Sequence, residues 1–330
     1  MSASIYDQFC KQLGALLDTP LPRVIAVAVS GGSDSMALLH LAHCFAQEHK
    51  ISLLAVTVEH GLRSESAQEA MAINQFLEKQ NIKHYILVWE HDPITSNIQA
   101  QARSARYKLL SEFCHSHNCK HLLLGHHQDD QLEHYFLRKE RSSGIIGMAP
   151  ISATRKINNL TLVRPLLTFP KSQLLCYLDA QGWPFWEDPS NQNADYRRNF
   201  WRIKAAQLSK EERLNILKEL SLYEKQAQWL NKKISDAFQK LVTITSLGSA
   251  RLEWDQWSAL DKEIKWRLTI EVAIQISGVL DKWKGSEVTR LVEKFSSLEA
   301  KPTTFHGLVW EIAFGQVFCC REPAAVPKTN

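Results

Sequence analysis

The sequence has no lysine in its first glycine-rich loop, no C-x-x-C pair and no apolar run long enough to span a membrane. Each absence removes a class of function. At residues 30–35 the chain reads Ser30-Gly31-Gly32-Ser33-Asp34-Ser35, so a G-x-x-x-x-G-K-[ST] nucleotide loop is excluded there. Cys114 and Cys119 are too far apart for a redox or cluster-binding pair, and Cys319 simply adjoins Cys320. The 7 cysteines are an odd set without framework spacing. They predict reduced thiols and a cytoplasmic protein. No repeat or low-complexity tract is present. The N-terminal stretch, with Asp7 and Asp18, predicts an amphipathic helix instead of a signal peptide, and no membrane partner is expected. A net charge of +4 tolerates a nucleic-acid partner without identifying one.

What is present points to two domains, because 330 residues exceed the size at which one core usually stops growing. The spacing predicts strands at 23–30, 51–59, 84–90 and 121–126, separated by helical stretches at 35–49, 66–80 and 97–117. Val-, Ile- and Leu-rich strands alternating with helices predict an α/β fold, a doubly wound parallel sheet covered on both faces. Ligands of such sheets sit beyond the carboxyl ends of the strands. Residues 141–200 read as irregular, punctuated by Pro150, Pro165, Pro170, Pro184 and Pro189, and a long helix is predicted from Lys210 to Val242. The expected division is a catalytic domain over 1–215 and a smaller, mainly helical α+β domain over 216–330. In the latter, Trp229, Trp254, Trp257, Trp266, Trp283 and Trp310 are expected in the core.

A strand, a Gly-Gly turn and a helix start together form an anion site, because first-turn N–H groups point at the ligand and glycine admits it closely. Without lysine, this site relies on N–H groups and serine hydroxyls and suits a pyrophosphate that leaves as a unit. Asp34 then holds Mg²⁺ or positions a reacting group; the plainer alternative is a helix cap. The string resembles the S-G-G-x-D-S signature of the PP-loop ATP pyrophosphatases, which cleave ATP to AMP and pyrophosphate.

Further segments follow in order: VEHGLRSES (58–66), NIQAQARSARY (97–107), GHHQDDQLE (125–133), RPLL (164–167), EDPSNQNADYRRNFWR (187–202) and TTFHGLVWEIAFGQVFCCREP (303–323). Together they resemble the tRNA(Ile)-lysidine synthetase family, which attaches lysine to the wobble cytidine of an isoleucine tRNA. The resemblance implies ATP, Mg²⁺, L-lysine and tRNA(Ile) with a CAU anticodon as cofactors and partners, and leaves a homodimer open. It implies an adenylated cytidine intermediate. It also assigns Asp34, His126, Asp130 and Glu133 to catalysis. Asp130 and Glu133 share one helical face if a helix opens at Asp129, and paired carboxylates with phosphates suit Mg²⁺, so the expected metal set is Asp34, Asp130 and Glu133. The alternative is a solvated acidic cluster with Asp129 as the cap.

Arg103 and Arg106 stand three apart, a spacing that lets two guanidinium forks face phosphate; a solvated surface is the other reading. Arg106 is expected to act in catalysis, and Arg103 and His60 with Ser30–Ser35 to hold the nucleotide. Tyr196, Arg198, Asn199 and Arg202 are expected to contact tRNA, since basic groups grip phosphate while rings stack a splayed base. The alternative places Phe200 and Trp201 in the core. Departures from the family pattern are the short RSSGIIGM stretch (141–148), His134 in place of threonine, and Glu59 in place of aspartate. A tRNA thiolation enzyme and an inactive tRNA-binding relative remain alternatives. The first needs the cysteine pair that is missing, and the intact SGGSDS and DDQLE oppose the second.

Overall fold

In the computed structural model, residues 4–61, 66–91, 98–157, 159–186, 197–279, 283 and 285–322 are described. The chain divides into two compact units, Met1–Ser221 and Leu222–Asn330.

The first unit is built on the short apolar run VIAVA. Branched and small residues with no charge favour a strand buried on both faces, and this run forms β1 (Val24–Ala28) after helix α1 (Ile5–Leu16). Then come α2 (Ser33–Glu48), β2 (Ser52–Glu59), α3 (Ser66–Lys79), β3 (Lys83–Val88), α4 (Ile98–Ser116), β4 (His121–Leu123) and α5 (Gln128–Glu140). These match the predicted order of strands and helices. The remaining elements are the single turn α6 (Ile145–Met148), β5 (Thr154–Ile157), β6 (Leu160–Val163), α7 (Lys171–Gln181), α8 (Arg197–Ala206) and the first part of α9 (Lys210–Leu241), which runs on into the second unit. The stretch 141–200 therefore contains a hairpin that its sequence does not announce. Each strand has only 4 residues, and β5 is half solvated through Arg155 and Lys156.

The sheet runs β3-β2-β1-β4-β6-β5, with β1, β2, β3, β4 and β6 parallel and β5 antiparallel at the edge. Charges on an edge strand discourage pairing with another chain. One sheet face packs Ile25 and Val27 against Phe9 and Leu13 of α1, Leu38, Leu39 and Phe45 of α2, Ile73 and Leu77 of α3, and Leu174 and Leu178 of α7. The other packs Ala26, Leu54 and Val56 against Leu110 and Phe113 of α4. Helix α1 begins with a reciprocal cap: Asp7 N–H donates to Ser4 Oγ and Ser4 N–H to Asp7 Oδ2, each 3.0 Å.

The second unit holds β7 (Val242–Ile244), β8 (Ala250–Glu253), α10 (Trp254–Ser258), α11 (Lys262–Ser277), α12 (Gly285–Lys294), β9 (Thr303–Phe305), β10 (Leu308–Ala313) and β11 (Gln316–Arg321). Its strands form an antiparallel sheet, β7-β8-β11-β10-β9. Leu252, Val317 and Cys319 of the sheet pack with Leu268 and Val272 of α11 and Leu291 of α12. Trp257 and Trp310 are buried in this core as expected, and Trp254, Trp266 and Trp283 pack at its edge. Trp229 is not in the core: it lies on α9, 59 % exposed, with the Lys233 ammonium 5.8 Å from its ring. All seven cysteines are free. Among the described residues, no helix is long and apolar enough to cross a membrane.

Leu39 is fully buried under the sheet. Leu39→Ala should lower the unfolding free energy by about 2–5 kcal/mol, measured by urea denaturation of the full chain. A loss below about 1 kcal/mol would mean that this face is not close-packed.

Candidate active site at the sheet switch point

Strand β1 lies between β2 and β4, so the connections leaving β1 and β4 diverge at their carboxyl ends. A crevice opens at such a point. The connection after β1 is the SGGSDS turn. Gly31 has φ +83°, and a Cβ there would come within 2.8 Å of Ile73 Cδ1. The positive φ favours glycine, whereas the flexible end of Ile73 could shift. Trp186 N–H donates to Gly31 O at 2.9 Å. Gly32 occupies the N-cap of α2 and brings no side-chain cap. Ser35 Oγ donates to Gly32 O at 2.9 Å and accepts from Ser30 N–H at 3.2 Å, which folds the turn over the helix start. Ser33 and Ser35 are buried, and Asp34 stands between them with its side chain 30 % exposed.

The connection after β4 closes against this turn at Gly125. A Cβ on Gly125 would lie 3.1 Å from Asp34 O and 3.2 Å from Ser35 N, both rigid backbone atoms. Helix α5 then starts, with His127 and not Asp129 at the N-cap position. The His127 N–H donates to Asp130 Oδ2 at 2.9 Å, and Asp129 N–H lies 3.2 Å from His127 Nδ1. This leaves Nε2 facing two acidic residues, 3.3 Å from Asp34 Oδ2 and 3.6 Å from Asp130 Oδ2. Burial alone would strip the ring of its charge. Hydrogen bonds to Asp129 and Asp34 and the charge of Asp130 outweigh that penalty and hold the His127 pKa up at about 10. Burial likewise opposes ionisation of Asp34, but the His127 bond and charge, then Lys171 and Arg202, pull its pKa below the usual carboxylate range. Asp129 accepts from Arg213 Nη1 at 2.7 Å and from the Lys171 backbone N–H at 2.8 Å, and its pKa is also lowered.

One turn along α5, Glu133 is 1 % exposed and its Oε2 lies 3.3 Å from Arg202 Nη2. The same Nη2 is 3.8 Å from Asp130 Oδ1. Asp130 and Glu133 do share a helical face, as expected. The expected three-carboxylate metal set does not assemble, however. Among the described residues no three His, Cys, Asp or Glu side chains gather as metal ligands, because Glu133 turns to Arg202. Asp34 and Asp130 converge near His127, and two carboxylates completed by phosphate oxygens and water fit Mg²⁺.

His126 is the electrostatic opposite of His127. Burial lowers its pKa to about 4; Asp130 opposes this, and Arg164, Arg106 and Arg103 add to it. Its buried Nδ1 has no hydrogen-bond partner among the described residues. Arg103 and Arg106 sit 5.1 and 5.4 Å from the Tyr107 ring, and buried Arg164 donates to Ser152 O at 2.8 Å. His60 meets Trp89 edge-on at 6.1 Å; burial and Arg106 lower its pKa.

In α8, Trp201 stacks on Phe136 of α5 at 4.9 Å and 6°, and its Nε1–H donates to Glu140 at 3.2 Å. Arg197 also pairs with Glu140. Phe200 is 43 % exposed, with the Lys204 ammonium 5.0 Å from its ring. Trp201 is thus packed and Phe200 outward. Tyr196 lies outside the described residues, as do the side chains of Arg198 and Asn199. Motif reading missed His127, Lys171 and Arg213, although the first is half of the HH pair in GHHQDDQLE.

The PP-loop domain family matches residues 5–208. A tRNA(Ile)-lysidine synthase from Rickettsia akari (strain Hartford) is 33 % identical over 319 residues, 96 % of this chain and 74 % of that protein. The chain belongs to the tRNA(Ile)-lysidine synthase family. A member of the family from Wolbachia pipientis wMel is 38 % identical over 250 residues, 74 % of this chain and 58 % of that protein. Among solved structures, the U34-tRNA thiolase NcsA from Methanococcus maripaludis with its [4Fe-4S] cluster superposes with a TM-score of 0.57. It is 17 % identical and covers 67 % of this chain and 79 % of its own, which shows a common fold.

Gly125→Ala should leave the protein folded, at a cost of about 1–3 kcal/mol, while pushing the Asp34 backbone out of place. Lysidine formation should fall at least about tenfold, the loss expected when a reacting group moves by a fraction of an ångström. Unchanged turnover would show that the close approach of the two connections is dispensable.

Proposed function

We propose that the chain ligates lysine to C2 of the wobble cytidine of tRNA(Ile) bearing a CAU anticodon, with ATP consumed to AMP and pyrophosphate. The observation that carries this reading is the SGGSDS turn at the switch point, with Asp34 locked to His127, in a chain of this family.

Cytosine C2 is a poor electrophile, and its oxygen is a poor leaving group. Adenylation corrects both. The C2 oxygen attacks the α-phosphorus, and pyrophosphate departs into the N–H groups and hydroxyls of residues 30–35. Arg103, Arg106 and Arg164 supply positive charge on the flank where the pentacoordinate phosphate forms. Asp34 and Asp130 would hold Mg²⁺, which supplies charge neutralisation there. The lysine ε-amine then attacks C2 and AMP leaves as a stabilised anion.

The proton on that amine sets a limit on His126. A free ammonium has a pKa of about 10.4. Burial keeps His126 a weak base, poorly matched to an ammonium of that pKa. It can take the proton after the C–N bond forms, when the nitrogen has become acidic. Asp130 and Glu133, on the same helical face and both facing Arg202, are suited to receive the incoming ammonium. On the RNA side, Arg202 and exposed Phe200 on α8, with Tyr196, Arg198 and Asn199 beside them in sequence, would contact the anticodon loop.

The direct test incubates the full chain with unmodified tRNA(Ile) bearing CAU, ATP and labelled lysine. Label on the RNA with equimolar AMP is expected; AMP release without label, or no AMP, contradicts the reading. Asp34→Asn and Asp130→Asn should each lower AMP formation at least about a hundredfold, with tRNA affinity within about twofold. A filter-binding assay beside the turnover assay separates the two effects, and full AMP formation by either variant removes its assigned role.

A further inference from the structure

The turn lacks a lysine of its own, but the fold brings one from elsewhere. Lys171 opens α7, and its Nζ reaches to 3.8 Å from Asp34 Oδ2. We propose that Lys171 is the phosphate-binding cation of this site, contacting the β- and γ-phosphates of the bound nucleotide and then the departing pyrophosphate. The inference rests on the reading that the SGGSDS turn seats ATP.

Four observations support it. The backbone of Lys171 is fixed while its head is not. Its N–H donates to Asp129 Oδ2 at 2.8 Å, Asp129 is itself held by Arg213, and Pro170 sets the entry into α7 with φ −64°. Its ammonium, in contrast, makes a contact longer than a hydrogen bond, with the side chain 41 % exposed. It can swing from Asp34 to a phosphate oxygen without breaking a short bond.

Among the described residues, the other cations of the acidic cluster are committed. His127 is 4 % exposed between Asp34 and Asp130, Arg202 faces Glu133 and Asp130, and Arg213 holds Asp129. Charge balance points the same way. Asp34, Asp129, Asp130 and Glu133 face His127, Arg202 and Arg213, three cations for four carboxylates, and Lys171 is the fourth. Without it, a polyphosphate would meet a cluster already carrying a net negative charge. The ammonium also stands beside Asp34, one residue from Ser33 and Ser35, where the uncapped start of α2 accepts anions.

Calorimetric titration of the full chain with ATP, pyrophosphate and AMP separates the alternatives, using the unsubstituted protein, Lys171→Gln and Lys171→Arg. Lys171→Gln should weaken ATP and pyrophosphate about tenfold or more, as for one lost charge-assisted bond, and leave AMP within about twofold. Lys171→Arg, which keeps the charge, should restore most of the loss. Steady-state assays should show the KM for ATP rising with little change in the KM for lysine or tRNA. Equal weakening of AMP would place the ammonium on the α-phosphate, and a raised KM for lysine alone would place it on the amino-acid carboxylate. Either result overturns the inference, as does unchanged pyrophosphate affinity in Lys171→Gln. If the unsubstituted chain binds neither ATP nor pyrophosphate, the nucleotide site itself is misassigned, and this inference falls with it.

Discussion

The contact between His127 and Asp34 organises the rest of this site. It joins the connection after β1 to the connection after β4 across 3.3 Å, and everything nearby is arranged to permit it. The strand order makes β1 and β4 neighbours, and Gly125 lets their loops touch backbone to backbone. The cap of α5 then points a ring nitrogen back at the turn. Two carboxylates about 4 Å apart at a partly buried site repel by about 4 kcal/mol; an imidazolium between Asp34 and Asp130 converts that repulsion into attraction. Removing one member of such a buried set leaves the others uncompensated, which is why these groups act as a unit.

Adjacent histidines divide the chemistry. His127 is kept charged by three aspartates, while His126, one residue earlier, is kept neutral by burial and three arginines. The same dipeptide thus presents a fixed cation to the acidic side of the crevice and an unprotonated ring to the basic side. The proposed reaction, adenylyl transfer followed by attack of an amine, calls for both. The acidic side can receive an ammonium, and the basic side can stabilise phosphate charge.

Much of this was legible in the sequence because the signals were strong and local. Short uncharged branched runs such as VIAVA and LLAVTV read as inner strands, and SGGSDS at the end of the first one pointed to an anion site. Asp34, His126, Asp130 and Glu133 came from contiguous motifs, and the structure brings them to one crevice. The β5–β6 hairpin was hidden, since two four-residue strands, one of them half-solvated, look like loop. Trp229 was misplaced in the core because an aromatic at helical spacing gives no sign of which face it is on. The metal set lost Glu133 because sequence spacing reports a shared face but not that Arg202, from α8, occupies it. Lys171 and Arg213 were invisible for the same reason: α7 and α9 deliver them from distant parts of the chain, and only the fold sets them beside Asp34 and Asp129.

The central claim is that the turn after β1 receives the leaving phosphates of a nucleotide. A crystal structure of the full chain with a non-hydrolysable ATP analogue tests it most directly. The phosphates should lie against the N–H groups of residues 31–35, with the β- and γ-phosphates nearest the turn and the α-phosphate toward Arg106 and His126. A nucleotide bound elsewhere, with the turn left empty, would contradict the claim and remove the basis for the assigned roles of Asp34 and His127.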